Sequence, residues 1–115
     1  MCGLSGFLSY KVGDETSVKT HLTEITKKRA LLTLNHRGPD NEDEWQDKYI
    51  WLGHRRLSIV DTTHRGDQPM HFQDFVIIFN GMIYNYKEIK RILIQKGYQF
   101  NTNTDTEIIL AGWVE

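Results

Sequence analysis

The sequence predicts an α+β domain, and three observations carry that prediction. "DFVIIFNG" is a near-continuous run of β-branched and aromatic residues closed by glycine, which is the pattern of a strand. Two later segments open with a polar residue followed three places on by glutamate, Asn85 with Glu88 and Thr104 with Glu107, the pattern of a helix start. Most strand-like stretches precede these helices, so the elements are grouped rather than strictly alternating. At 115 residues the chain is expected to form one domain over 1–115.

Each element follows from its residues. "GLSGFLSY" alternates small and apolar residues and reads as a first strand holding Gly3 and Gly6, where glycine marks close approach of a backbone or ligand. After the polar turn "KVGDETS", the segment "VKTHLTEITKKRALLTLNHRG" carries Leu22, Ile25 and Leu32 at helical spacing and ends before Gly38 and Pro39. Within it, "TKKRA" is expected to be a solvated helix face. "NEDEWQDK" reads as an acidic turn, "YIWLGHRRLSIVD" as one or two strands, and "TTHRGDQP" as a loop. "DFVIIFNG" follows as the clearest strand, expected to be covered on both faces.

Beyond the Asn85 start, Tyr86, Ile89 and Leu93 supply the apolar stripe of a helix stopped by Gly97. "YQFNT" reads as a short strand, and Thr104 opens the final helix "IILAGWVE". That helix is still laying down apolar residues at Trp113 and Val114, so an incomplete domain with unmet packing needs is expected.

Composition narrows the function classes. Fourteen basic against fifteen acidic side chains leave a net charge of −1, with no electrostatic footprint for nucleic acid or an anionic membrane. No run approaches the ~18–20 apolar residues of a membrane span. One cysteine cannot make an internal disulfide, and a reducing, cytoplasmic location is expected.

That cysteine is Cys2, next to a terminus where packing roles are rare. If Met1 is removed, Cys2 carries the α-amine, whose pKa of about 7.7–8.0 suits a general base near neutrality. Nucleophile and base then occupy one residue; the alternative is an incidental N-terminal thiol. Acyl chemistry also needs donors for an oxyanion, and the Asn80 amide with the Gly81 N–H is a candidate, as is an ordinary Asn-Gly turn. Arg55 and Arg56 offer a fork for a carboxylate or are surface charges, and Asp105 can meet an ammonium or simply start a helix. His54, His64 and His71 are too irregularly spaced for a familiar zinc motif, and no metal site is expected.

Taken together and in order, "MCGLSGF", "HRGPD", "LGHRRLSIVD", "QPM", "NGMIYNYKEI" and "TDTEIIL" resemble the class II glutamine amidotransferase domain of glutamine-hydrolysing asparagine synthetases. The resemblance implies an N-terminal nucleophile hydrolase, an αββα sandwich of two stacked sheets between helical layers, here incomplete. It implies that Cys2 attacks the side-chain amide of glutamine, with Asn80 and Gly81 holding the oxyanion. It also implies that Arg56 clamps the α-carboxylate, that Leu57, Ser58, Ile59 and Val60 line the site, and that Asp105 takes the α-ammonium. "HRGPD" is expected to support this arrangement through Arg37 and Asp40.

Two departures from the family pattern stand out. Relatives read Asn-Gly-Glu where this chain has Met82, and a thioether cannot supply the charge that helps bind the substrate's amino group. The family domain is also longer and is followed by a synthetase domain that uses ATP and magnesium, with homodimers possible in full-length proteins. Neither cofactor is expected within these residues. A non-catalytic binding remnant and an amidotransferase serving another acceptor are the alternative readings.

Overall fold

A computed structural model describes residues 1–9, 18, 22–59 and 61–115, and among these described residues nine short elements are formed. They are β1 (Gly3–Leu8), α1 (Glu24–Thr33), β2 (Asn41–Gln46), β3 (Ile50–Arg56), a 3₁₀ turn (His64–Gly66), β4 (Met70–Phe72), β5 (Phe75–Ile77), α2 (Tyr86–Gln95) and α3 (Asp105–Val114). The expected turn "KVGDETS", Tyr10 of the first expected strand and Val60 lie outside the described residues.

Strand β3 is the centre of an antiparallel sheet ordered β1-β3-β2. Its register sets Gly3 opposite Arg55 and Leu8 opposite Ile50 on one side, and Asn41 opposite Arg56 on the other. Side chains alternate across a strand, so Trp51, Gly53 and Arg55 share one face while Leu52, His54 and Arg56 share the other. Helix α1 covers the first face, where Leu31 and Trp51 join Val18 and Leu22 in a buried cluster edged by Phe7 and Ala30. Thr23 starts that helix, its hydroxyl accepting the Thr26 N–H at 3.2 Å.

The second sheet is the β4-β5 hairpin, with Met70 opposite Ile77 and Phe72 opposite Phe75. His71 meets Trp45 of β2 edge-on at 6.1 Å between ring centroids, which ties the two sheets together. Helix α3 packs on β4 and β5, and α2 packs on α3. Leu93, Ile108 and Ala111 form the second buried cluster, flanked by Tyr86, Ile89, Tyr98 and Phe100.

Several expectations are corrected. "NEDEWQ" is a strand rather than an acidic turn, because alternate charges find partners across the ladder: Glu42 pairs with Arg55 at 2.8 Å, and Glu44 accepts the Trp51 indole N–H at 2.7 Å. Charged residues suit it as the sheet's edge. "DFVIIFNG" is not a central strand covered on both faces; only Phe75–Ile77 pairs, and Phe75 is exposed. Its apolar residues continue instead as the chain leading to Asn80.

"YQFNT" forms no strand. Its amides turn onto a buried carboxylate, Glu107, which accepts the N–H groups of Asn101 and Thr102, both at 2.8 Å. Neither expected capping box closes. Asn85 has already turned to ψ 22°, outside the extended region a capping side chain needs. The Thr104 hydroxyl is paired with that of Thr102, at 2.9 Å.

Leu22 is buried as expected, but the buried face of α1 is formed by Lys27 and Leu31 rather than by Ile25 and Leu32. Ile25 and Leu32 point to solvent while Leu31 is buried. The "TKKRA" face is not wholly solvated either, because Lys27 is only 5% exposed and its ammonium bonds Glu24 at 2.7 Å and the Gln46 side chain. Two glycines are required by geometry. A Cβ on Gly38 would lie 2.3 Å from the Arg55 carbonyl oxygen, and Gly97 ends α2 at φ +98°.

Candidate active site

The β1–β3 register continues to Cys2, which it places opposite Arg56 on the face turned away from α1. There the Cys2 Sγ lies 3.3 Å from the Leu57 N–H, which donates to it, and 3.7 Å from the Leu57 carbonyl oxygen. The thiol is half-buried and free.

Cys2 opens onto a cleft of about 380 Å³ between the start of β1, the chain after β3, the end of the β5 segment and the start of α3. The cleft brings together Cys2, Arg56, Leu57, Ile59, Asn80, Gly81, Met82 and Asp105, eight of the ten residues singled out from the sequence. Ser58 is not among them. Its N–H donates to Asp40 Oδ2 at 2.7 Å, and it faces a second hollow behind the cleft. Val60 lies outside the described residues.

Arg56 is buried and already heavily engaged. Nη1 donates to the Thr63 carbonyl at 2.6 Å and to Asp67 Oδ1 at 2.6 Å, while Nη2 donates to the Asp61 carbonyl. A guanidinium has five N–H donors, so these bonds leave two. Asp40 holds the same stretch from behind, its N–H donating to the Arg56 carbonyl at 3.0 Å. Asp40 of "HRGPD" therefore supports the segment after β3, whereas Arg37 contributes a backbone bond to Leu34 at 2.9 Å.

Across the cleft, Asn80 and Gly81 sit in a short arc with both ends tied down. The Phe79 N–H donates to Gln68 Oε1 at 2.5 Å, and the Ile83 N–H donates to Asp105 Oδ2 at 2.9 Å. Among the described residues no donor reaches the second oxygen of Asp105. Met82 and Tyr84 stand at the mouth of the cleft, Tyr84 being 90% exposed. Among the described residues no three His, Cys, Asp or Glu side chains converge as a metal site requires.

Sequence reasoning did not single out Gln68 or Asp61, and it weighed His54 only as a metal ligand. Asp61 accepts the Thr63 hydroxyl at 2.7 Å and N–H at 2.9 Å, and the Asn103 N–H at 3.2 Å. These bonds to Thr63 and Asn103 hold its carboxyl at a pKa of about 2. His54 is buried beside this network, and among the described residues neither ring nitrogen meets a hydrogen-bond partner. Burial pushes its pKa below the ordinary histidine range, and the Phe79 backbone only partly offsets that. "QPM" and "RLSIVD" contained the signal for Gln68 and Asp61, but a polar residue in a loop does not reveal its partners.

Comparison with known proteins agrees with this geometry. Residues 1–115 match the family described as the glutamine amidotransferase domain. A glutamine-hydrolysing asparagine synthetase of Bacillus subtilis is 41% identical over 113 residues, covering 96% of this chain and 17% of that protein. An asparagine synthetase of Arabidopsis thaliana is 33% identical over 111 residues, covering 95% and 18%. The amidase chry2 of Gibberella zeae is 33% identical over 120 residues, covering 96% and 17%. The chain thus spans less than a fifth of the length of these relatives. A thiol held against a backbone N–H, an Asn-Gly arc facing it and a family match over every residue lead to one conclusion: the chain belongs to the glutamine amidotransferase domain family.

Proposed function

We propose that the chain is the glutaminase part of an asparagine-synthetase-like enzyme, releasing ammonia from the side-chain amide of glutamine. The observation that carries this reading is the placement of Cys2 and the Asn80–Gly81 arc on one cleft. With Met1 removed, the Cys2 α-amine takes the thiol proton, directly or through a water, and the thiolate adds to the amide carbon. The Asn80 amide and Gly81 N–H donate to the oxygen as it gains charge. Collapse breaks the C–N bond, the α-ammonium returns its proton to the departing nitrogen, and ammonia leaves a thioester. Water then adds to the thioester carbonyl, giving glutamate and the free thiol.

In the same reading the two remaining Arg56 donors take the substrate α-carboxylate, with Leu57 and Ile59 lining the stem. The unpaired oxygen of Asp105 takes the α-ammonium. Met1 itself lines the cleft, so its removal both frees the base and clears space. The fold proposed is the N-terminal nucleophile hydrolase sandwich, which the packing of α1 on one sheet and α3 on the other supports. Asparagine as the product, ATP and magnesium held outside these residues, homodimerisation and a cytoplasmic location belong to the same proposal. Among the described residues no helix is long and apolar enough to cross a membrane.

The test is ammonia release from glutamine by the Met1-processed chain and its Cys2→Ala variant. The parent should turn over and the variant should fall to background. Equal rates would sink the reading and leave a non-catalytic binding module.

A further inference from the structure

Gln68 sits in the loop before β4, 6% exposed, and forms part of the cleft wall. Both ends of its amide are engaged. Oε1 accepts the Phe79 N–H at 2.5 Å, and Nε2 donates to the Thr106 hydroxyl at 3.2 Å. Phe79 is the residue before Asn80, and Thr106 is the residue after Asp105. One side chain therefore links the base of the Asn80–Gly81 arc to the first turn of α3. The other end of the arc meets the same turn, through Ile83 N–H on Asp105.

We infer that Gln68 is a positioning residue for the oxyanion site: it fixes the Asn80 and Gly81 donors relative to Asp105 and Cys2. This rests on the glutaminase reading above. The geometry matters because, among the described residues, two side-chain hydrogen bonds bracket the arc, one at Phe79 and one at Ile83. Among the described residues, the pairing of short β5 ends at Ile77 and does not extend to residues 78–82. An oxyanion donor works only when pre-set to the position the charged oxygen will occupy. Displacement by about an ångström costs on the order of a hundredfold in rate. Each end of the Gln68 amide is held by a partner on the arc or on α3, so its effect passes through the arc.

The test uses Gln68→Met, which keeps the length but neither hydrogen bond, and Gln68→Glu, which keeps the acceptor for Phe79 while the Thr106 hydroxyl turns to donate. In Gln68→Met, kcat for glutamine should fall about 10–100-fold with KM changed by less than about threefold. In Gln68→Glu, kcat should stay within about fivefold of the parent. A folded Met variant with kcat within twofold of the parent overturns the proposal, as does an equal loss in both variants, which would mark a packing effect. If the Met variant does not fold, Thr106→Val cuts the far end of the link at constant volume, and unchanged kcat there overturns it too. If the parent releases no ammonia, the glutaminase reading has failed by itself. Amide exchange then decides the link: faster exchange at Phe79 and Gly81 in Gln68→Met but not in Gln68→Glu supports it, and unchanged exchange overturns it.

Discussion

Met82 stands at the cleft mouth one residue beyond Gly81, on the arc anchored by Gln68 and Asp105. Its side chain is half-exposed and can offer an ammonium only weak sulfur contact. Asp105 has one oxygen committed to the Ile83 N–H, so a single carboxylate oxygen remains to meet the substrate's α-ammonium. Adding a second carboxylate at this rim should strengthen ground-state binding without moving the thiol or the oxyanion donors. Met82→Glu is therefore expected to lower KM for glutamine about tenfold while kcat stays within about twofold. Steady-state ammonia release checks this, and an unchanged KM would show that position 82 takes no part in recognition.

At the scale of elements, the thiol is positioned by strand register and the segment after β3 by "HRGPD". The turn at Gly38 lets the chain run against the Arg55–Arg56 peptide so that Asp40 can reach both the Arg56 carbonyl and the Ser58 N–H. Any side chain at 38 must push these backbones apart. Gly38→Ala is expected to lose about 1–3 kcal/mol of stability, read from urea unfolding, and to weaken glutamine turnover through the Leu57 segment. Loss of less than about 0.5 kcal/mol would mean the turn relaxes freely. Such dependence explains what was legible beforehand. Cys2, Asn80 and Asp105 stand out only as a set, since each taken alone also fits a bland reading, and the structure brings all three to one cleft. The edge strand "NEDEWQ" did not stand out, since its charges are satisfied only by Arg55 and Trp51 across the ladder. Nor did the fate of "YQFNT", whose amides are claimed by Glu107, a residue that local pattern assigned to a capping box. Long-range partners decide these cases, and periodicity carries no information about them.

For the molecule as a whole, folding is linked to protons at both ends of the pH scale. His54 lies buried on the cleft side of β3, with Arg56 and Asp67 as its charged neighbours, and its pKa is lowered mainly by burial. The unfolded chain therefore takes up this proton first, so stability present above about pH 6.5 declines as pH falls below it. Asp61, held at about 2 by Thr63 and Asn103, acts with the same sign at lower pH: its contribution is intact above about pH 4 and is lost as pH approaches 2. Tyr98 acts in the opposite direction. Its pKa is raised by burial and by Glu115, so the folded state holds the proton more tightly and stability falls as pH rises past about 10. Thermal melts across this range should show a plateau between about pH 6.5 and 10, a first decline toward pH 5 and a second below pH 4. In His54→Phe the first decline should vanish while the second remains, because the Asp61 bonds to Thr63 and Asn103 do not involve the ring. A melting temperature that is flat between pH 7 and 5 in the parent would show that the His54 site admits a proton without cost, and that the surroundings of His54 are wetter than its burial implies.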